Sequence, residues 1–174
     1  MEHAAVAENE PLFDSAYDAL AFAYRFNAQQ YAMTPMAKLM RWQIGSGKGL
    51  VGIDGAAQAG IILGLIDHLQ EWEQAAICAR FSIDRKRLYW ARNSLITPAM
   101  ASLGTGIHNR RMVDALVQKH FGCRLKLKEV AEAYEVNKNT MTDYWRQIRK
   151  TLQEIEYRAM DKAERILRDA MVCL

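Results

Sequence analysis

The chain has 174 residues, of which 51% are apolar and 25% are charged, and this balance is close to that of soluble globular proteins. It excludes a fibrous or wholly disordered protein, and the length suffices for one domain, or for a compact domain with an appended helix. The longest apolar run, 56–69, is broken by polar residues and glycines, so we expect no membrane span. Three widely spaced cysteines and an acidic N-terminus indicate reduced thiols and no signal peptide, which together predict a cytoplasmic protein.

Charge is distributed unevenly along the chain. Residues 1–83 carry five Lys/Arg against nine Asp/Glu, whereas residues 84–174 carry 18 against 11. Within the second half, residues 84–128 hold ten basic residues against two acidic ones, a net charge of +8. A surface that binds a polyanion needs such a block, because each neutralised phosphate releases condensed counterions. The alternative is a solvated face whose charges meet the acidic residues of the first half.

The hydrophobic pattern predicts an all-α protein, because period-two alternation and hairpin turns are missing from the sequence. Residues 1–10 are polar and alanine-rich, and we expect a flexible tail there. An N-terminal helical region is predicted over 11–103. Its first helix follows from apolar residues that recur at three- and four-residue steps over 13–31, with Asp14 or Ser15 near its cap.

Capping residues, prolines and glycines predict where the following helices start and stop. In chain order, we expect a short helix from Thr34-Pro35, a glycine-rich loop at 45–52, a helix from Asp54 to about Leu69, a helix over 71–81, a basic helix over 84–93, a short helix capped by Thr97-Pro98, a separator at 104–106, and a helix over 109–121 that Gly122 stops.

Residues 127–146 carry the pattern of a helix-turn-helix. This unit needs apolar residues at fixed offsets and a small residue where the two helices nearly touch. Ala131 is the small residue, Asn137 stands at the cap of the second helix, and Glu135 occupies a turn position where glycine is usual because the backbone enters the left-handed region. The five apolar positions are Val130, Tyr134, Val136, Met141 and Tyr144. The alternative is a generic pair of amphipathic helices.

The second helix of this unit would present side chains suited to the major groove of DNA. Asparagine pairs with adenine, arginine and lysine pair with guanine or phosphate, and threonine can meet a thymine methyl group. Asp143 is expected to orient an arginine or to accept from cytosine. The predicted base-reading residues are Asn137, Lys138, Asn139, Thr140, Thr142, Asp143 and Arg146. The predicted phosphate-binding residues are Arg110, Arg111, Arg124, Lys126, Lys128, Arg149 and Lys150.

A long terminal helix completes the DNA-binding region, which we place at 107–174. Apolar residues follow one another in alternating four- and three-residue steps, as on the seam of a coiled coil. The seam positions are Met141, Trp145, Ile148, Leu152, Ile155, Ala159, Lys162 and Ile166, with Lys162 as the interruption. We favour packing of this seam on the N-terminal helices. The competing possibility is a homodimer that pairs through the seam and binds a palindromic site.

The layout of a basic linker helix followed by the segment LKEVAEAYEVNKNTMTDYWRQIRKTL resembles the DNA-binding region 4 of bacterial sigma factors. It is also similar to the short kind of late-gene antitermination Q proteins of lambdoid phages. The likeness covers about residues 107–155. It implies a phage or prophage origin, binding near a late promoter and contact with RNA polymerase. The expected function is therefore a sequence-specific double-stranded DNA-binding regulator of transcription, of the antiterminator or activator type, and not an enzyme.

Two rival functions stay open from the sequence. A small terminase subunit of a phage also joins a helix-turn-helix to an oligomerising helix, and a helical hairpin can serve as a protein-interaction module. Other chemistry finds little support. The glycine-rich loop lacks the residues of a phosphate-binding Walker motif at positions 42 and 49. His120 and Cys123 have ligand-like spacing without a second pair, so no metal or other cofactor is expected.

The tryptophans are expected in the core. Tyr89-Trp90, beside Arg87 and Arg92, is the one aromatic pair whose neighbours suit stacking on a nucleic-acid base.

Overall fold

The computed structural model describes residues 11–32, 52–104, 106 and 109–174. This part of the chain forms an all-α multi-helix bundle, as predicted. Its helices are α1 (Ala16–Ala32), α2 (Gly52–Ile66), α3 (Glu71–Phe81), α4 (Arg85–Ala101), α5 (Arg110–His120), α6 (Leu127–Ala133) and α7 (Lys138–Asp169). The predicted tail at 1–10, the short helix from Thr34-Pro35 and nearly all of the glycine-rich loop lie outside the described residues.

Local capping explains most of the helix starts. Ser15 caps α1, because its Oγ accepts a hydrogen bond from the backbone N–H of Asp18 at 3.2 Å. A capping box of Gln70 and Glu73 starts α3, whose bounds agree with the prediction. Asn109 caps α5, because its Oδ1 accepts a hydrogen bond from the backbone N–H of Arg111 at 2.9 Å. α2 starts at Gly52, two residues before the predicted start, and ends at Ile66, three residues before the predicted end near Leu69.

One prediction about helix number was wrong. The sequence indicated two helices, over 84–93 and after Thr97-Pro98, but the structure has the single helix α4. Proline removes one intrahelical hydrogen bond and crowds the carbonyl four residues earlier. Here Pro98 lies in the last turns of α4 and is buried, together with Leu95 and Ile96. We infer that the apolar packing of this turn offsets the bond that Pro98 cannot make.

The long helix α7 lies at the centre of the bundle. It packs against α3 most extensively and also against α1, α2, α4, α5 and α6. Its seam is thus covered by helices of the same chain, as the favoured packing required. A single hydrophobic core includes residues from α1 through α7, so the predicted N-terminal and DNA-binding regions share one interior.

The buried stripe of α7 drifts away from the predicted seam toward its end. The buried positions are Met141, Ile148, Leu152, Ile155, Ala159, Ala163 and Leu167. Lys162 and Ile166 were expected on the seam, and each is replaced there by the next residue. The reason is that a straight helix has 3.6 residues per turn, so a strict seven-residue repeat turns away from a fixed face by about 20° per heptad.

Lys162 has a structural partner that explains a lysine at the edge of the core. Its Nζ donates to Oε1 of Glu73 at 2.7 Å, and the Glu73 side chain is only 4% exposed. Glu73 also accepts from the backbone N–H of Gln70. The pair therefore joins the first turn of α3 to α7, and it satisfies a carboxylate that would otherwise be buried without a counter-charge.

The two ends of the described chain meet. The backbone N–H of Phe13 donates to the carbonyl of Val172, and the N–H of Leu174 donates to the carbonyl of Phe13, both at 3.2 Å. This bridge is the β pairing found among the described residues. Within the same residues, none of the helices has both the length and the apolar character needed to cross a membrane.

Packing of the seam within one chain can be tested with two matched substitutions on α7. Ile155 is 2% exposed and Tyr157 is 76% exposed. We expect Ile155→Ala to lower the free energy of unfolding by about 2–5 kcal/mol, since it leaves a cavity in the core, and Tyr157→Ala to change it by less than about 0.5 kcal/mol. Thermal unfolding should show midpoints independent of protein concentration. If the unfolding midpoint of the wild type rises with protein concentration, and that of Ile155→Ala rises less, the seam lies between two chains instead.

Candidate nucleic-acid interface

The helix-turn-helix consists of α6, a turn at 134–137 and the first turns of α7. Val130, Ala131 and Met141 are buried between the two helices and the bundle. The other predicted apolar positions, Tyr134, Val136 and Tyr144, are half-buried and pack against the same core. The spacing that predicted the unit therefore corresponds to real packing, with Ala131 as its fully covered small residue.

The turn has the left-handed residue that the pattern called for. Glu135 has φ of 55° although it is not glycine. The N–H of Val136 donates to the carbonyl of Ala131 at 2.9 Å, and the N–H of Glu135 donates to the carbonyl of Glu132 at 3.4 Å. These two bonds form a Schellman motif, which satisfies the last carbonyls of α6. The turn thereby sets the direction in which α7 leaves α6.

Asn137 caps α7, as its position in the pattern indicated. Its Oδ1 accepts from the backbone N–H of Asn139 at 2.9 Å. The side-chain oxygen is therefore engaged at the helix start, and the NH₂ group makes none of the hydrogen bonds seen within the described residues. Of the contacts that Asn137 could make to a base, this geometry favours one in which it donates.

The other predicted base-reading residues all lie exposed on the first three turns of α7. They are Lys138, Asn139, Thr140, Thr142, Asp143 and Arg146. The hydroxyl of Thr142 donates to the carbonyl of Lys138 at 2.9 Å. Arg146 Nη1 donates to Asp143 Oδ1 at 2.9 Å, so Asp143 orients an arginine, one of the two roles expected for it. The ion pair is open to water, where such pairs contribute about 0–1 kcal/mol.

The predicted phosphate-binding residues fall into separate groups. Arg124, Lys126 and Lys128 are exposed where the chain enters α6, and Arg149 and Lys150 are exposed further along α7. Lys126 lies 3.3 Å from Glu129 and Lys128 lies 3.8 Å from Glu132. Both pairs are solvent-exposed and weak, so a DNA phosphate could replace the glutamate as the partner of either lysine.

Arg110 and Arg111 are not brought to the helix-turn-helix by any contact among the described residues. They lie in the first turn of α5, whereas Lys119 and His120, whose side chains contact α7, lie at its other end, about 14 Å along the helix axis. There, Lys119 donates to the carbonyl of Leu125 and lies with its Nζ 5.6 Å from the ring centroid of Trp145. Lys119, counted in the basic block, thus holds the loop before α6 against α7.

Sequence reasoning missed a partly buried ion cluster in the middle of α7. His120 Nε2 lies 2.7 Å from Glu156 Oε2, and Arg80 donates to Glu156 Oε1 through Nε at 2.9 Å and Nη2 at 2.7 Å. Burial alone would raise the pKa of Glu156, but the hydrogen bond and charge of His120 and the charge of Arg80 outweigh it and lower this pKa. The three residues come from α5, α7 and α3 and are far apart in sequence, so no spacing signal could have found them.

His120 therefore has a structural partner. Within the described residues, no group of His, Cys, Asp and Glu side chains has the arrangement of a metal site. In comparisons with known proteins, no family model matches the chain and no curated protein is significantly similar to it. The candidate site is therefore the first turns of α7, whose exposed face carries donor, acceptor and cationic groups. Buried residues on the opposite face hold these turns in place.

The strain in the turn makes a testable prediction. Replacing Glu135 by glycine relieves a left-handed conformation that L-residues adopt at some cost, and we expect the free energy of unfolding to rise by about 0.5–1 kcal/mol. The matched control is Glu132→Gly, an exposed glutamate inside α6, which should lower it by about 1 kcal/mol. Urea denaturation measures both. Equal losses from the two substitutions would show that residue 135 is not left-handed in solution.

Proposed function

We propose that this protein is a sequence-specific double-stranded DNA-binding regulator of transcription that reads bases with the first turns of α7. The proposal rests on one observation: the first turns of α7 bury one face in the core and expose the other to solvent. Met141 is fully buried and Tyr144 is half-buried. On the opposite face, the predicted base-reading residues from Lys138 to Arg146 are all exposed.

The chemistry of the exposed face suits the major groove. That groove is about 12 Å wide and admits one α-helix, and its base edges present distinct patterns of donors and acceptors. Asn139 can bond bidentately to adenine, and Lys138 and Arg146 can bond to the acceptors of guanine. Because Arg146 already donates to Asp143, the positions of its guanidinium are restricted before DNA arrives, and part of the conformational entropy that base binding costs has been lost.

Cations at both ends of this face would hold the DNA backbone. Arg149 and Lys150 follow the reading residues on α7, Lys126 lies at the cap of α6, and Lys128 lies in its first turn. Contacts to phosphate position a protein on the duplex and contribute most of its salt-dependent affinity. This arrangement, in which residues 138–146 read the bases and residues on either side bind phosphates, is common to helix-turn-helix proteins.

The regulatory role rests on the resemblance of residues 107–155 to sigma region 4 and to the phage antitermination proteins. On that basis we assign the protein to the antiterminator or activator type, with RNA polymerase as its second partner and a phage or prophage as its origin. The packaging alternative is less favoured, because the stripe of α7 that an oligomerising helix would use is buried against the same chain.

Selection of duplexes from a random pool tests the proposal. The wild-type protein should enrich one motif, and the triple substitution Lys138→Ala, Asn139→Ala, Arg146→Ala should abolish its preference for that motif over random duplex. Each bidentate base contact discriminates by about 1–3 kcal/mol, so a loss of at least tenfold in the preference is expected.

The matched control for this experiment removes the same net charge elsewhere on α7. Gln153, Arg158 and Arg165 are exposed, and Arg165 is ion-paired to Asp161 much as Arg146 is to Asp143. Their triple alanine variant should keep the motif preference. Survival of the preference in the first variant would show that α7 is not the reading helix, and a protein that enriches no motif would be a helical interaction module instead.

A further inference from the structure

A polar groove lies between α4 and α5, away from the exposed face of α7 that we propose reads DNA. Its volume is about 380 Å³, within the range of small-molecule sites. The residues from α4 recur at three- and four-residue steps and so share one face of that helix, and the residues from α5 are four apart and face them. Around an apolar floor at Leu88, the polar lining consists of Arg85, Tyr89, Arg92, Asn93, Asp114 and Gln118.

The polar groups of this groove are incompletely paired. Asp114 Oδ2 accepts from Gln118 Nε2 at 2.9 Å. No ion pair within the described residues joins Arg85 or Arg92 to an acid, and the Nε–H of Arg92 is buried without a hydrogen-bond partner. A buried donor left unpaired destabilises a fold, and each such group in a folded protein calls for an explanation. A bound anion, with the guanidinium turned toward it, would supply the missing acceptor.

Tyr89 adds an aromatic surface at the rim. Its side chain is 73% exposed and forms no part of the core, so its ring is open to a ligand. A ring beside cations is the combination that binds unpaired nucleotides, since a base stacks on the ring while the cations hold its phosphate. Asn93, Gln118 and Asp114 provide the donors and acceptors that a base edge can use.

We propose that the groove binds one unpaired nucleotide, with its phosphate between Arg85 and Arg92 and its base on Tyr89. Asp114 disfavours a plain anion site, because a carboxylate in the lining repels a small anion but can accept from an N–H donor of a base, such as N3–H of thymine or the amino group of adenine. A duplex does not fit this chemistry, since its bases are stacked on one another and cannot reach a side-chain ring. The nucleotide can come from a single strand or from a free mononucleotide, and the site does not depend on α7 reading a duplex.

Fluorescence anisotropy of a fluorescein-labelled ten-residue oligothymidylate tests the site. We expect Tyr89→Ala and Arg85→Gln each to weaken binding at least fivefold, given about 1–3 kcal/mol for one stacked base and a comparable loss for one phosphate contact. The controls are Tyr157→Ala, an equally exposed tyrosine elsewhere, and Lys86→Gln, which removes the charge next to Arg85 but does not line the groove. Both should stay within about twofold of wild type.

Competition at constant ionic strength distinguishes the sources of the nucleotide. Thymidine monophosphate that displaces the oligomer from wild type identifies a free nucleotide as a sufficient ligand, and displacement only by unlabelled oligomer identifies a strand. Inorganic phosphate competing as well as thymidine monophosphate would overturn the proposal in favour of a plain anion site. So would losses in the control variants equal to those of Tyr89→Ala and Arg85→Gln, or no binding at all.

The alanine variant of Lys138, Asn139 and Arg146 separates this proposal from the reading of duplex DNA. It should bind the oligothymidylate as wild type does, although it no longer prefers a duplex motif. If its affinity for the single strand falls as far as that of Tyr89→Ala, the strand binds the helix-turn-helix and the groove proposal is wrong. Failure of the duplex selection alone leaves the groove intact.

Discussion

The buried stripe of α7 is the constraint on which the rest of the structure depends. A helix of 32 residues is about 48 Å long, and on its own in water such a helix would have no fixed orientation. Seven buried side chains from Met141 to Leu167 fasten one face of it to the other helices. Each large apolar side chain buried in this way contributes about 1.5–3 kcal/mol. Because the turns proposed to read DNA belong to the same continuous helix, the face opposite Met141 is held toward solvent.

Two ionic contacts join α3 to α7 in addition to apolar packing. Glu73 meets Lys162, and Arg80 meets Glu156, at points about 9 Å apart along α7. The Glu73 side chain is buried, so a shift of α7 that broke its pair with Lys162 would leave an uncompensated charge in the core. His120 extends the second contact to α5, which leads into the loop before α6. The N-terminal helices, for which sequence reasoning assigned no role, thus serve as the support that orients the helix-turn-helix.

The features that the sequence predicted well are local. Within residues 127–146, spacing alone identified the packing positions, the left-handed turn at Glu135 and the cap at Asn137, because each depends on neighbours a few residues away.

The errors came where tertiary packing decides the local structure. Proline disfavours the interior of a helix, but Pro98 is buried and stays within α4. Lys162 fits a seven-residue repeat, but α7 is a straight helix, so Ala163 takes the buried position instead. The distance of Arg110 from the helix-turn-helix and the cluster at Glu156 involve residues from different helices, which no spacing along the chain can reveal.

The central claim is that the first turns of α7 read DNA, and the most direct test is to map which base pairs lie next to each part of α7. A cleavage reagent tethered through cysteine reports the base pairs nearest its attachment point. We would compare Thr142→Cys with Arg158→Cys, each with exposed Cys123 replaced by serine, on the duplex motif that the protein selects. The two positions are both exposed and about 24 Å apart along α7. Strong cleavage at the centre of the motif from residue 142, and little from residue 158, is the predicted result. Equal or weaker cleavage from residue 142 would contradict the assignment of these turns as the reading helix.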